Sequence, residues 1–247
     1  MKNIRKAPKR ESLLMLVYML CVCLICGPSF YHKYFDTEKK NGREGIEDVE
    51  EAAAYMSASV TEEAPRIAIT FDDGPSGTYT PMLLDGLKER GVKGTFFLIG
   101  ENVEKYPEVV KRLDEEGHLI GNHTYHHVEI TKVSDEEAYK EIVDTNRVIY
   151  EITGKATEYM RPPFGAWQRN LELKLSVLPV MWTIDPLDWT TENTDEIVNK
   201  VVTEAEENDI ILLHDCYKSS VEAALRIVDI LQKEGFEFVT VDELIMY

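Results

Sequence analysis

From residue 65 onward, short apolar runs alternate with longer stretches whose apolar positions recur every three to four residues. Residues 66–72, Arg-Ile-Ala-Ile-Thr-Phe-Asp, read as a buried strand that stops at the turn Asp73-Gly74-Pro75. Residues 80–91 place Met82, Leu83, Leu84 and Leu87 on one helical face and end at Gly91. The same reasoning predicts strands at 94–99, 118–121, 158–160, 178–184, 209–213 and 236–241. It predicts helices at 107–116, 134–152, 195–205 and 221–234, the third predicted helix opening on a Ser134…Glu137 capping box.

This β/α alternation over some 180 residues predicts an α/β fold: a parallel sheet or barrel with helices outside, an open doubly wound sheet being the other option. No G-x-G-x-x-G or Walker pattern follows the first strand, so no nucleotide is expected. Chemistry in such folds sits at the carboxyl ends of the strands.

The first 64 residues are patterned differently. A basic tail, 1–11, carries Lys2, Arg5, Lys6, Lys9 and Arg10. Residues 12–31 are uncharged, with the most apolar part at 13–26. Twenty residues at 1.5 Å each give about 30 Å, just enough to cross a bilayer as a signal anchor. The basic flank keeps the N-terminus in the cytoplasm and everything after residue 31 outside, at the cell membrane. The short apolar core also suits a cleaved signal peptide, although no A-x-A site follows it, and the protein would then be secreted. Residues 32–64 are polar and read as a flexible spacer, leaving 65–247 as the globular domain.

Charge narrows the partners. Of the net −18, residues 65–247 supply −17 (18 basic, 35 acidic), a surface that repels phosphate backbones, so no nucleic acid is expected. Three of the four cysteines lie within 12–31 and the fourth is Cys216, so there is no disulfide framework.

The polar residues at predicted strand ends form a pattern. Asp72 and Asp73 are adjacent carboxylates, of which one can hold a metal while the other acts as a base. His123 and His127 are spaced i, i+4, which on a helix or tight turn puts both imidazoles on one side. With Asp73 they make a two-histidine, one-carboxylate set with open positions, a catalytic rather than structural arrangement. His118 is expected to pack near its strand and His126 to point away, exposed. Arg161-Pro-Pro-Phe-Gly165, Asp185-Pro-Leu-Asp188-Trp189 and Leu212-Leu-His214 follow at three later strand ends.

In this order, T-F-D-D-G-P (70–75), H-T-Y-H-H (123–127), R-P-P-F-G (161–165), D-P-L-D-W (185–189) and L-L-H (212–214) resemble the five motifs of the polysaccharide deacetylases. These are carbohydrate esterases with a NodB-type domain, and the domain 65–247 most resembles peptidoglycan N-acetylglucosamine deacetylases. The resemblance implies a distorted (β/α) barrel with fewer than eight regular repeats. It implies a metal on Asp73, His123 and His127, usually Zn2+, with Co2+ or Ni2+ possible. Asp72 matches the base, Arg161 the residue that pairs with it, and His214 the acid that protonates the leaving amine. Asp188, rather than Asp185, matches the carboxylate that holds His214. The Phe164 backbone N–H matches an oxyanion donor beside Pro163, while Trp189 and Leu212 match the walls of an acetyl-methyl pocket. Phe164 stands where many members have Tyr, and 167–178 looks short for a full helix.

The function implied is metal-dependent removal of acetyl groups from N-acetylated sugars of a cell-wall glycan, with peptidoglycan N-acetylglucosamine foremost. N-acetylmuramic acid, chitin oligosaccharides and O-acetyl-xylan are the other substrates that such a domain takes. A non-catalytic glycan-binding domain is the remaining option, opposed by the presence of base, ligands and acid together.

Overall fold

The computed structural model describes residues 64–167 and 177–246. Their centre is a sheet of seven parallel strands: β1 (Arg66–Asp72), β2 (Thr95–Leu98), β3 (Leu119–Asn122), β4 (Tyr159–Met160), β5 (Leu178–Pro179), β6 (Ile210–His214) and β7 (Glu237–Val239). The order is β5-β4-β3-β2-β1-β6, with β7 paired to the first half of β1. Helices fill the crossovers, α1 (Tyr79–Glu89), α2 (Gly100–Lys105), α3 (Pro107–Glu115), α4 (Asp135–Thr153), α5 (Thr194–Glu204) and α6 (Lys218–Lys233), and α7 (Val241–Ile245) follows the last strand.

The period-two alternation of β1 decides what faces what. Ile67, Ile69 and Phe71 point to the helices and pack in one buried cluster with Leu83, Leu84 and Leu87 of α1 and Ile227, Val228 and Leu231 of α6. Each such side chain contributes about 1.5–3 kcal/mol on burial. The alternate residues, Ala68, Thr70 and Asp72, form the inner face. Ala68 belongs to an apolar plug with Phe97, Tyr159, Val180 and Val241. Above the plug the inner face turns polar, with Thr70 and then Asp72, both buried. The strand thus runs from a sealed bottom to a reactive top.

The sheet curls into an incomplete barrel with seven strands rather than eight regular repeats, which removes the open doubly wound alternative. Its seam is closed by one parallel bridge, Ile184 to Ile211, with Leu212 N–H donating to Ile184 O. The strand expected at 178–184 is therefore split. Leu178–Pro179 pairs with β4, and Ile184 pairs with β6 on the other side of the gap. Between them, the carbonyls of Val180 and Met181 accept from the Arg161 guanidinium instead of from a strand.

The other departures are local. Helix α2 was not foreseen, because Gly-Glu-Asn-Val-Glu-Lys has one apolar residue and no period. The strand expected at 236–241 ends at Val239, and Thr240 begins α7 through a reciprocal capping box with Glu243. At α4 the Ser134 hydroxyl accepts from Glu137 N–H, and Gly154 ends the helix in the left-handed conformation. Among the described residues no helix is long and apolar enough to cross a membrane, and the expected anchor at 12–31 lies outside them, as do the spacer and residues 168–176.

Candidate active site

The inner faces of β1 and β6 bring two of the expected residues side by side, since Asp72 is the register partner of His214. Immediately after β1 the chain turns at Asp73, which has a φ of 71°, and the Asn102 amide of α2 holds the Asp73 carbonyl at 2.9 Å. This turn swings the Asp73 carboxylate off the strand line and toward β3.

From the end of β3 comes a bend, the tight-turn rather than the helical way of bringing an i, i+4 pair together. Asn122 Oδ1 accepts from Thr124 N–H, and Thr124 and His127 take positive φ values of 63° and 55°. The two imidazoles converge there. Asp73 Oδ1 lies 3.4 Å from His123 Nε2 and 3.3 Å from His127 Nε2. His123 Nδ1–H donates to the Arg161 carbonyl at 2.6 Å, which fixes the tautomer and leaves the Nε2 lone pair facing Asp73.

This arrangement fits a metal ion. One donor atom from each of Asp73, His123 and His127 lies within 4.8 Å of the others. A tetrahedral site with bonds of 2.0–2.1 Å has ligand–ligand edges of about 3.3 Å. Asp73 Oδ1 is buried and has no hydrogen-bond donor, an orphan that a cation would satisfy. Burial pushes the Asp73 carboxyl up, but His123, His127 and His214 outweigh it and hold the group below its ordinary value. Burial lowers the His127 imidazole toward the neutral form that binds metals.

Asp72 is held by a guanidinium with no exposed surface. Arg161 Nη1 donates to Asp72 Oδ1 at 2.8 Å and to Thr70 Oγ1 at 2.7 Å, and its ring-facing side lies 4.3 Å above Phe97. Nε and Nη2 go to the carbonyls of Val180 and Met181, so the buried cation is paired and hydrogen-bonded on every side the fold offers.

His214 is clamped at two points by Asp188, which lies on a 3₁₀ turn (Asp188–Thr190). The ring Nδ1–H donates to Oδ1 at 2.7 Å and the backbone N–H to Oδ2 at 2.8 Å. Burial alone would lower the His214 pKa, but the Asp188 bond and charge, helped by Asp72 and Asp73, push it up to about 9. Asp185 instead accepts from Leu187 N–H, closing the loop before this turn.

Asp72, Asp73, His123, His127 and His214 line one cavity of about 410 Å³. Its walls include Phe164, Trp189 and Leu212, as the sequence suggested, and Trp182 and Tyr217, which it did not. Pro162 rather than Pro163 lines the cavity, while Pro163 is buried in the 3₁₀ turn Pro163–Gly165. Phe164 has a φ of 60°, and its ring meets His127 at 4.9 Å. Of the two spare histidines, His118 is buried and accepts from Gly94 N–H, as expected of a packed residue. His126 is exposed but not idle, because its Nδ1 bonds Glu141.

The profile of the polysaccharide deacetylase family matches residues 59–181. A peptidoglycan-N-acetylglucosamine deacetylase of Bacillus cereus is 38% identical over 205 residues, 80% of this chain and 96% of that protein. The chain belongs to the polysaccharide deacetylase family. PgdA of Listeria monocytogenes, a peptidoglycan-N-acetylglucosamine deacetylase, is 40% identical over 197 residues, which is 77% of this chain but 42% of that longer protein. The solved structure of the peptidoglycan deacetylase PdaC of Bacillus subtilis superposes with a TM-score of 0.72 at 38% identity, covering 73% of this chain and 90% of that one. The incomplete parallel barrel is thus a polysaccharide deacetylase fold, and the five motifs of this chain all reach its upper rim.

Proposed function

We propose that this polysaccharide deacetylase removes acetyl groups from N-acetylglucosamine of peptidoglycan, as a metal-dependent hydrolase. The observation that carries this reading is the joint placement of Asp72 and His214, neighbours on adjacent strands, with the Asp73–His123–His127 cluster in one cavity. Relatives named for N-acetylglucosamine are 38–40% identical over about four-fifths of the chain, against 39% over 72% of the chain for one named for N-acetylmuramic acid.

A divalent ion such as Zn2+, held by Asp73, His123 and His127, would polarise the acetamide carbonyl and acidify a water molecule. The other residues act as follows. Asp72 takes a proton from the attacking water as the new C–O bond forms. Arg161 pairs with the Asp72 carboxylate and aims it. The Phe164 N–H donates to the developing oxyanion, a kind of contact worth about 10²–10³ in rate. His214 gives its proton to the sugar nitrogen as the C–N bond breaks, because an amide anion is too poor a leaving group to depart unprotonated. Acetate and the free amine are the products. Trp189 and Leu212 wall the space for the acetyl methyl group.

The test is incubation of the protein with wall glycan strands, measuring acetate and locating the lost acetyl groups by mass spectrometry. Loss from N-acetylglucosamine supports the reading, and loss from N-acetylmuramic acid moves the site to the other sugar. Release from acetylated xylan alone would make the protein an O-esterase, and binding without acetate would leave it a glycan-binding domain. Alanine at Asp73, His123 or His127 is expected to abolish turnover and bound zinc together, whereas Asp72→Asn should keep the zinc and lose turnover. Unchanged metal content in all three alanine variants overturns the ligand set. The apolar run 12–31 and its basic flank support anchoring at the cell membrane with the deacetylase domain outside. External protease on intact cells should then degrade 65–247.

A further inference from the structure

Between the two histidines of the metal cluster, the bend at 124–127 is held from an unexpected direction. Glu141 lies on α4, only 8% exposed. Its Oε2 accepts two consecutive backbone N–H groups, Tyr125 at 2.9 Å and His126 at 2.8 Å. Its Oε1 accepts from His126 Nδ1 at 2.7 Å. The bend's carbonyls are held from α2 instead, Thr124 O by Gly100 N–H and Tyr125 O by Glu101 N–H. Within this short segment Thr124 and His127 both adopt left-handed backbone, a conformation that costs a residue with a side chain free energy and persists only when its surroundings enforce it.

We infer that Glu141 is a positioning residue for the metal site: its carboxylate imposes the bend that turns His123 and His127 onto Asp73. The inference rests on the metal reading given above. The chemistry explains why an acid stands here. Two peptide N–H groups and one imidazole N–H converge, three donors with no acceptor among them, and a carboxylate is the side chain with enough lone pairs for all three. Without it the two N–H groups would turn outward to water, and the peptide between the histidines would rotate with them. His123 is separately fixed by Arg161 O, so the displacement falls mainly on His127, whose imidazole is the less buried of the pair.

Residues that orient metal ligands typically change metal affinity about 10–100-fold when removed. Zinc affinity of the whole protein, measured by competition with a chromophoric chelator, tests the inference without using turnover. Glu141→Ala is expected to weaken zinc by 10-fold or more. Glu141→Gln is expected to stay within about threefold, because its amide oxygen still accepts both N–H groups and its NH₂ can donate to the other His126 tautomer. His126→Ala should also stay within threefold, since the peptide N–H, not the ring, holds the bend. Should Glu141→Ala fail to fold, Glu141→Asp, which withdraws the carboxylate by one methylene, is read in its place with the same expectation. Affinity within threefold of wild type in the Ala or Asp variant overturns the inference alone. A lowered melting temperature of the metal-free protein with zinc affinity unchanged assigns Glu141 to the fold only and also overturns it. Wild-type protein that takes up no zinc, cobalt or nickel overturns the metal reading and this inference with it.

Discussion

His214 shows how one residue's chemistry is set by its neighbours. An isolated imidazole titrates near 6.5 and would be mostly neutral at pH 7.5, a poor supply of protons. Here burial works against the charged ring, but the two-point clamp of Asp188 overcomes it and carries the pKa to about 9. The ring is therefore protonated across the neutral range, and activity that depends on it should fall as the pH rises through about 9. Asp188→Asn removes the charge that opposes burial, so the alkaline limb of kcat/KM should move down by at least one pH unit. An unmoved limb would detach His214 from the proton transfer. The same shift is a stability statement. The folded state binds this proton more tightly than the unfolded chain, so the contribution is complete below pH 6.5 and is lost as the pH rises to about 9. Close packing sets a second constraint, at Gly74. A Cβ there would lie 2.5 Å from both carboxylate oxygens of Asp215, which is fully buried and bonded to Thr80 Oγ1. Gly74→Ala must push either Asp215 or the turn carrying Asp73. It is expected to cost about 1–3 kcal/mol in unfolding free energy and to lower zinc content as well.

Among the elements, the motifs were legible and the geometry connecting them was not. Apolar period and Gly stops located β1, α1, α3 and α4 to within a residue or two, because those segments are long or bounded by strong turn signals. The expected strand at 178–184 looked uniform because its residues are apolar, yet Pro179 has no N–H to donate and the next two carbonyls turn to Arg161. Nothing local announces that an arginine from another strand end will take those carbonyls. Likewise His-x-x-x-His announced a shared face but not what holds the turn that produces it, since Glu141 reaches it from fifteen and sixteen residues away. Arg161 thus has two tasks, pairing Asp72 and holding the Val180 and Met181 carbonyls just beyond β5. Arg161→Lys keeps the charge but offers one point of donation where the fork offers several. It should reduce turnover and also lower stability by about 3 kcal/mol, near the cost of disrupting a buried ion pair. A loss of turnover with an unchanged melting temperature would confine Arg161 to the site.

At the scale of the whole domain, the site and the core are separate. The largest cluster joins β1, β2 and β6 to α1, α3, α5 and α6 through side chains with almost no exposure, and none of Asp73, His123 or His127 belongs to it. The apolar plug under the inner face closes the opposite end of the barrel. The candidate ligands stand on turns above this framework, with Asp73 and His127 partly exposed. Metal sites in small domains often carry the folding free energy, so that chelators unfold them. Here more than two dozen buried apolar side chains, most of them worth about 1.5–3 kcal/mol, pack in a cluster to which none of the candidate ligands belongs. Removing an ion held there would leave an unpaired Asp73 oxygen and two imidazoles, a local cost that water at the open side can partly offset. A chelator is therefore expected to abolish deacetylation while the far-UV circular dichroism is retained. The melting temperature should fall only as far as mass action on the lost ion requires, following RT ln(1 + [L]/Kd) for the free metal concentration used. Restoring zinc should return activity without a refolding step. Cooperative unfolding on chelation at 25 °C would show instead that the upper turns hold the barrel together, and that the separation of core from site is wrong.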